Sequence, residues 1–138
     1  MKLLFDTNVV SYWMGGVPDF KMPIEALLGE FCSPQLFMSV VSLQEILVYS
    51  RIHGSAEKDH DFLATRFNFL LFDESSAISA ARLAAVVGSP NRPEGRKLGK
   101  VAPEAKDVWQ RDAAIAGTAE TQGLDLLVTS DADFCRTF

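Results

Sequence analysis

Asp6, Glu45, Asp112 and Asp131 each stand beside an apolar run, where carboxylates can hold a metal ion or move a proton. Asp6 ends the run Leu3-Leu4-Phe5. Glu45 follows residues 36–41 (LFMSVV), Asp131 follows residues 124–128 (LDLLV), and Asp112 lies in the helical stretch that leads into that last run. If the runs are parallel strands, the first three acids lie beyond carboxyl ends, the edge of an open α/β sheet where ligands bind. Asp112 reaches the same edge from its helix. On a helical wheel it falls among Val108, Ile115, Ala116 and Ala119, so a carboxylate on an apolar face needs a cation, hydrogen-bond donors or a raised pKa.

Carboxylates gathered at one edge repel one another, and without compensation some protonate. A hard divalent cation removes the conflict. Mg²⁺ or Mn²⁺ takes oxygen ligands, keeps several waters, and is commonly held by one or two carboxylates together with substrate phosphate. The matching reaction is phosphodiester hydrolysis, in which the metal acidifies an attacking water, a carboxylate orients it, and the cation offsets charge on the phosphate oxygens. No nucleophilic Ser, Cys or Lys is required, and no triad is visible. Local explanations compete with this one. Ser42 with Glu45 reads as a capping box, Asp131 as the cap of a short terminal helix, and Asp112 as half of an internal salt bridge.

The elements that must position these acids alternate between strand and helix. Residues 3–5, 36–41, 69–72 and 124–128 are apolar runs without alternation, as expected of strands buried on both faces, with a continuation of the preceding helix as the alternative for 69–72. Between them the pattern predicts helices over 8–14, capped by Thr7; 24–31, after a turn-rich connection; 43–52, capped by Ser42 and stopped by Gly54; and 56–67. A further helix over 76–87, capped by Asp73 or Ser75, packs through Ile78, Ala81, Leu83 and Ala85, and the last runs over 107–122 to Gly123. The fold class is α/β: three layers, with a central, mainly parallel sheet of four to five strands.

At 138 residues, 48% of them hydrophobic, the chain makes one domain, residues 1–138, with a real core. No apolar run approaches the roughly 18 residues that span a bilayer, so the chain reads as a soluble cytoplasmic protein with no membrane association. Two cysteines and two histidines leave almost no material for a disulfide framework or a zinc site. A net charge of −5 argues against a generally basic nucleic-acid surface but not against a local basic strip. Residues 88–106 supply one candidate: Arg92, Arg96, Lys97, Lys100 and Lys106 lie scattered among prolines and glycines, with Arg111 following in the next helix. The alternative is a solvated loop whose charges only maintain solubility.

LLFDTN near the start, SVVSLQEI in the middle, RDAAIAG in the late helix and LLVTSDADF near the end resemble, in order and spacing, the four signature segments of PIN-domain ribonucleases. The resemblance is closest to the VapC-type toxins of bacterial toxin–antitoxin pairs and covers nearly the whole chain. It implies that Asp6, Glu45, Asp112 and Asp131 form the catalytic quartet. Asp133 would join Asp6, Asp112 and Asp131 at the metal, with Asn8, Thr129 and Ser130 as supporting hydrogen bonders. It further implies Mg²⁺- or Mn²⁺-dependent cleavage of single-stranded or looped RNA, a homodimer, and a VapB-like antitoxin whose tail enters the acidic groove. The loop over 88–106 is longer and more basic than the family pattern.

Two rivals compete with a nuclease. A PIN-like RNA- or partner-binding module with little hydrolysis has no use for mutually repelling acids. A phosphatase of the haloacid dehalogenase type needs a second Asp two residues after Asp6, where Asn8 stands. If the loop cations contact phosphates, replacing Arg96, Lys97 and Lys100 with Gln weakens RNA affinity and flattens its salt dependence in binding titrations. An unchanged salt slope would reduce the loop to a solvated linker.

Overall fold

Along the first strand the side chains part to opposite faces. In β1 (Lys2–Phe5), Leu3 and Phe5 face one hydrophobic cluster and Leu4 faces another, and all three are fully buried. Two apolar faces require a layer on each side. The computed structural model describes residues 1–87 and 103–131. On the Leu3–Phe5 side lie α1 (Thr7–Met14), α2 (Pro18–Gly29), α3 (Val40–His53) and α4 (Ala56–Arg66), which contribute Val9, Val10, Ile24, Ile46 and Leu63. On the Leu4 side lie α5 (Glu74–Val87) and α6 (Pro103–Thr121), through Leu83, Ile115 and Ala116.

The sheet between them is parallel throughout the described residues, in the order β3-β2-β1-β4. β2 (Gln35–Ser39) pairs Phe37 with Leu4, β3 (Asn68–Leu70) pairs Phe69 with Met38, and β4 (Leu126–Val128) pairs Val128 with Phe5. The chain builds outward from β1 to β3 and then returns to the other side of β1. That reversal makes the carboxyl ends of β1 and β4 the crevice of the sheet. Among the described residues no helix is long and apolar enough to cross a membrane.

Several boundaries differ from those the sequence predicts. The second strand stops at Ser39, whose hydroxyl accepts from Val41 N at 3.2 Å, so Ser39 caps the helix and Val40 and Val41 belong to its first turn. Ser42 therefore sits inside α3, fully buried, its hydroxyl without a partner among the described residues. The expected Ser42–Glu45 capping box does not form. Because β2 ends early, β3 finds partners only for residues 68–70, and Leu71 and Phe72 fall outside the sheet. The last strand is shortened at its start instead. Gly123, at φ +61°, reverses the chain so that Leu124 N returns to Ala119 O at 3.2 Å, and pairing begins at Leu126. α2 starts at Pro18, whose fixed φ suits a first helical position, and absorbs the connection expected to be a turn. Asp73 caps α5 as expected, accepting from Ser76 N at 2.8 Å.

Of the four residues predicted for the packing face of α5, Leu83 packs as expected, while Ile78, Ala81 and Ala85 are exposed. Ile78 is 65% exposed, and the buried residues among those described are Ser76, Ser79 and Ala80. The cause is Gly117 on α6, where a Cβ would stand 2.6 Å from Ala80 N and 2.7 Å from Ser76 O. So close an approach admits only small residues opposite. Hydroxyl and carboxylate bonds complete the contact, from Ser76 to Thr121 at 3.0 Å and from Arg82 to Glu120 at 2.6 and 2.7 Å. Gly117→Ala should cost roughly 1–3 kcal/mol by forcing the helices apart. Denaturant unfolding measures the loss; an unchanged midpoint would show that α5 and α6 yield freely.

Candidate active site

Asp6 leaves β1 with extended backbone, its N–H still in the ladder on Val128 O at 3.0 Å and its carbonyl already accepting the first helical bond, from Val10 N at 3.2 Å. One carboxylate oxygen accepts from Thr7 N at 2.7 Å. Asp6 is thus the cap of α1, and Thr7, expected to cap it, is the first helical residue. Asp outranks Thr at a helix start, a preference readable from the sequence. The second oxygen accepts from the Thr129 hydroxyl at 2.9 Å, and that hydroxyl accepts from Asp131 N at 3.0 Å. One bonded chain therefore ties the end of β1 to the end of β4. Asp6 is only 4% exposed, and this burial pushes its pKa up against the lowering pull of Thr129 and Thr7, with the charges of Glu45 and Asp131 adding to the rise.

Glu45 reaches the cleft from the second turn of α3. The Thr7 hydroxyl donates to its Oε2 at 2.6 Å, and Arg111 of α6 donates closely to Oε1 in an ion pair. Three helices from both layers meet at this carboxylate. Asp112 is half-buried next to Arg111. Burial first, then the charges of Asp6, Asp131 and Glu45, push its pKa from 3.8 to about 7, against the pull of Arg111. Asp6, Glu45, Asp112 and Arg111 all line one cleft of about 430 Å³.

A model of the PIN domain matches residues 3–137. The chain belongs to the PIN domain family. No curated protein sequence matches this PIN domain. Among solved structures it is similar to a toxin–antitoxin complex from Klebsiella pneumoniae, at 23% identity and a TM-score of 0.67 over 96% of this chain and 89% of that one. It is also similar to VapBC-1 from nontypeable Haemophilus influenzae, at 20% identity and 0.70 over 99% and 92%, and to VapBC2 from Rickettsia felis bound to a promoter DNA fragment, at 18% and 0.69 over 99% and 93%. At these identities the likeness is one of fold.

Within the PIN domain, the acids expected to converge differ in how they are held. Asp6 and Glu45 are bonded in place, Asp112 is held by its helix, and Asp131 is linked through its backbone to Thr129. Of the three residues expected as supporting hydrogen bonders, Thr129 bonds Asp6. Asn8 lines the cleft and Ser130 is exposed, and neither bonds a carboxylate among the described residues. Arg111, expected on the RNA, is engaged with Glu45. Asp133, Arg92, Arg96, Lys97 and Lys100 lie outside the described residues. Thr7 as the holder of Glu45 was missed, because a bond between residues 38 apart in the chain has no local signature.

Among the described residues no three acids stand close enough to form a ready-made ligand set. The donors are nonetheless all hard oxygens, and Mg²⁺ needs only one or two carboxylates when waters and phosphate complete its shell. Burial raises the pKa of Asp6 and of Asp112, and neighbouring carboxylates add to the rise, so a cluster of hard oxygen donors at this edge fits a divalent cation.

The same charge opposes folding in metal-free protein. Between pH 4 and about 7 the unfolded chain has ionised Asp112 while the folded chain retains its proton, so stability falls as pH rises through that window and levels off above it. Asp112→Asn should reduce the decline to the part that Asp6 contributes and raise stability at pH 8 by on the order of 1–3 kcal/mol. Asp6→Ala should instead cost about 1 kcal/mol through loss of the cap. Thermal melts at pH 5 and 8 in EDTA read both; an Asp112→Asn protein that melts below the parent at pH 8 would make that carboxylate a structural ion-pair partner.

Proposed function

We propose that this PIN domain is a metal-dependent endoribonuclease that hydrolyses phosphodiester bonds in single-stranded or looped RNA. In this reading it is the toxin of a VapBC-type pair, acts as a homodimer in the cytoplasm, and is neutralised by a VapB-like antitoxin. The observation that carries the reading is the acidic cleft at the end of β1, lined by Asp6, Glu45 and Asp112, with Asp112 pushed to about 7 by burial and then by the charges of Asp6, Asp131 and Glu45. PIN domains are generally nucleases that use divalent metal ions, and the solved structures of like fold include toxin–antitoxin complexes.

Asp6, Asp112 and Asp131 would hold Mg²⁺ or Mn²⁺, with Asp133 as an auxiliary acid. When bound, the cation acidifies a water and offsets charge on the phosphate oxygens. Glu45 orients the attacking water: it lines the cleft, with the Thr7 hydroxyl bonded to one of its oxygens and Arg111 to the other. Thr7 keeps that carboxylate in one rotamer. Thr129 keeps Asp6 aimed out of the sheet, and Arg111 offers positive charge beside the developing phosphate charge. Arg92, Arg96, Lys97 and Lys100 would contact the RNA backbone. A second reading, a module that binds RNA or a basic partner without cutting, draws on the absence of three acids at ligand spacing among the described residues.

Purified, partner-free protein incubated with a panel of structured RNAs should cut them with Mg²⁺ or Mn²⁺ and stop on addition of EDTA. Asp112→Asn should cut about a hundredfold more slowly or worse while remaining folded. RNA that binds yet stays intact with either metal would put the binding module ahead.

A further inference from the structure

On α3 the cleft acid heads a row of side chains. Glu45, Tyr49 and His53 recur at four-residue spacing, so they lie on one face with about 6 Å along the axis between successive members. Tyr49 is 64% exposed, an unusual state for a large aromatic beside a polar cleft. Its ring is not loose. It stacks on His53 with centroids 4.0 Å apart and planes 29° from parallel, and the His53 Nδ1–H donates to the Tyr49 carbonyl at 2.9 Å. Tyr49 also forms a wall shared by two hollows: the acidic cleft and a neighbouring groove of about 360 Å³ between α1 and α3, lined by Tyr12, Met14 and Ile46.

We propose that Tyr49 is a stacking platform for an unpaired nucleobase, seating in the groove between α1 and α3 the base next to the phosphate that lies at the carboxylates. The inference rests on reading the cleft as the place where the RNA backbone is held. Three features favour a base over a protein side chain. The ring is flat, exposed and held by a second ring, so little side-chain freedom is lost on stacking. It adjoins the acids within one helical turn, the reach of a base attached to a bound phosphate. The groove is lined by Tyr12, Met14 and Ile46 together with Ser11, Ser50 and Asp59, a mixture that suits a π-face with polar edges. Every base has a π-face, so Tyr49 contributes affinity and a requirement for unpaired RNA rather than a sequence code.

Single-stranded oligoribonucleotides with 2-aminopurine at successive positions, whose fluorescence falls on stacking, can be titrated with the full-length Asp112→Asn protein, which keeps the RNA intact. One or two adjacent positions should be quenched on binding. Adding Tyr49→Ala should abolish that quenching and weaken Kd by about 5- to 150-fold, the range for one base–aromatic stack, while Tyr49→Phe and Tyr49→Trp keep both. The thermal midpoint of the alanine variant should match its parent, since an exposed ring contributes little to the core. The proposal is overturned if the alanine variant binds as tightly with quenching preserved, if no position is quenched in the parent, or if Tyr49→Ala weakens only the binding of a protein partner. Cleavage by protein with Asp112 intact, read in parallel, separates the two readings. Tyr49-dependent binding without cleavage removes the nuclease and leaves the base site, and cleavage with Tyr49-independent binding does the reverse.

Discussion

The architecture depends on one buried carboxylate. Asp6 terminates the central strand, caps the first helix and accepts the hydroxyl of Thr129 from the neighbouring strand, so its two oxygens fix the geometry where the sheet order reverses. A buried acid is tolerated only when bonded on both sides, and here those bonds come from a backbone N–H and a hydroxyl rather than from a cation. The site keeps its negative charge as a result. A lysine or arginine against Asp6 would secure the fold more firmly and cancel the charge that makes the cleft useful to a metal.

The layers on either side divide the work of positioning. On one side Phe5, Trp13, Phe62 and Phe67 interlock, with Phe5 and Phe67 edge to face at 5.6 Å, and this locks α1 against the sheet just beyond Asp6. On the other, the close approach of α5 and α6 at Gly117 fixes the height of α6, and with it Arg111 and Asp112 above the sheet edge. Glu45 then joins the two sides. It takes a hydroxyl from α1 and a guanidinium from α6, so the cleft is closed by polar bonds where the apolar layers end.

These contacts also show a trade between stability and function. Asp112 burdens the metal-free fold, whereas Glu45 has Arg111 as an ion-pair partner. A protein that retains like charges at one edge gives up stability for a site that a divalent cation completes. Ser42 is a smaller concession of the same kind: a hydroxyl buried without a partner among the described residues, at a position where the sequence suggests a cap.

The sequence by itself determined the fold class, the parallel strands and which acids approach one edge. Uninterrupted apolar runs ending in polar residues are local facts, and an acid within an apolar helical face remains anomalous whatever packs against it. Local rules also placed Gly54 and Gly123 at helix ends and Asp73 at a cap, since those choices involve only neighbouring residues. Tertiary structure decided the rest. Whether Ser39 or Ser42 starts α3 depends on where β2 stops pairing with β1 and β3, and both serines are equally good caps in isolation. Which face of α5 is buried depends on the closeness of α6, so Ile78 was left outside despite its hydrophobicity. The holding of Glu45 by Thr7 and Arg111 joins residues far apart in the chain, and only the packed layers bring them within hydrogen-bond reach.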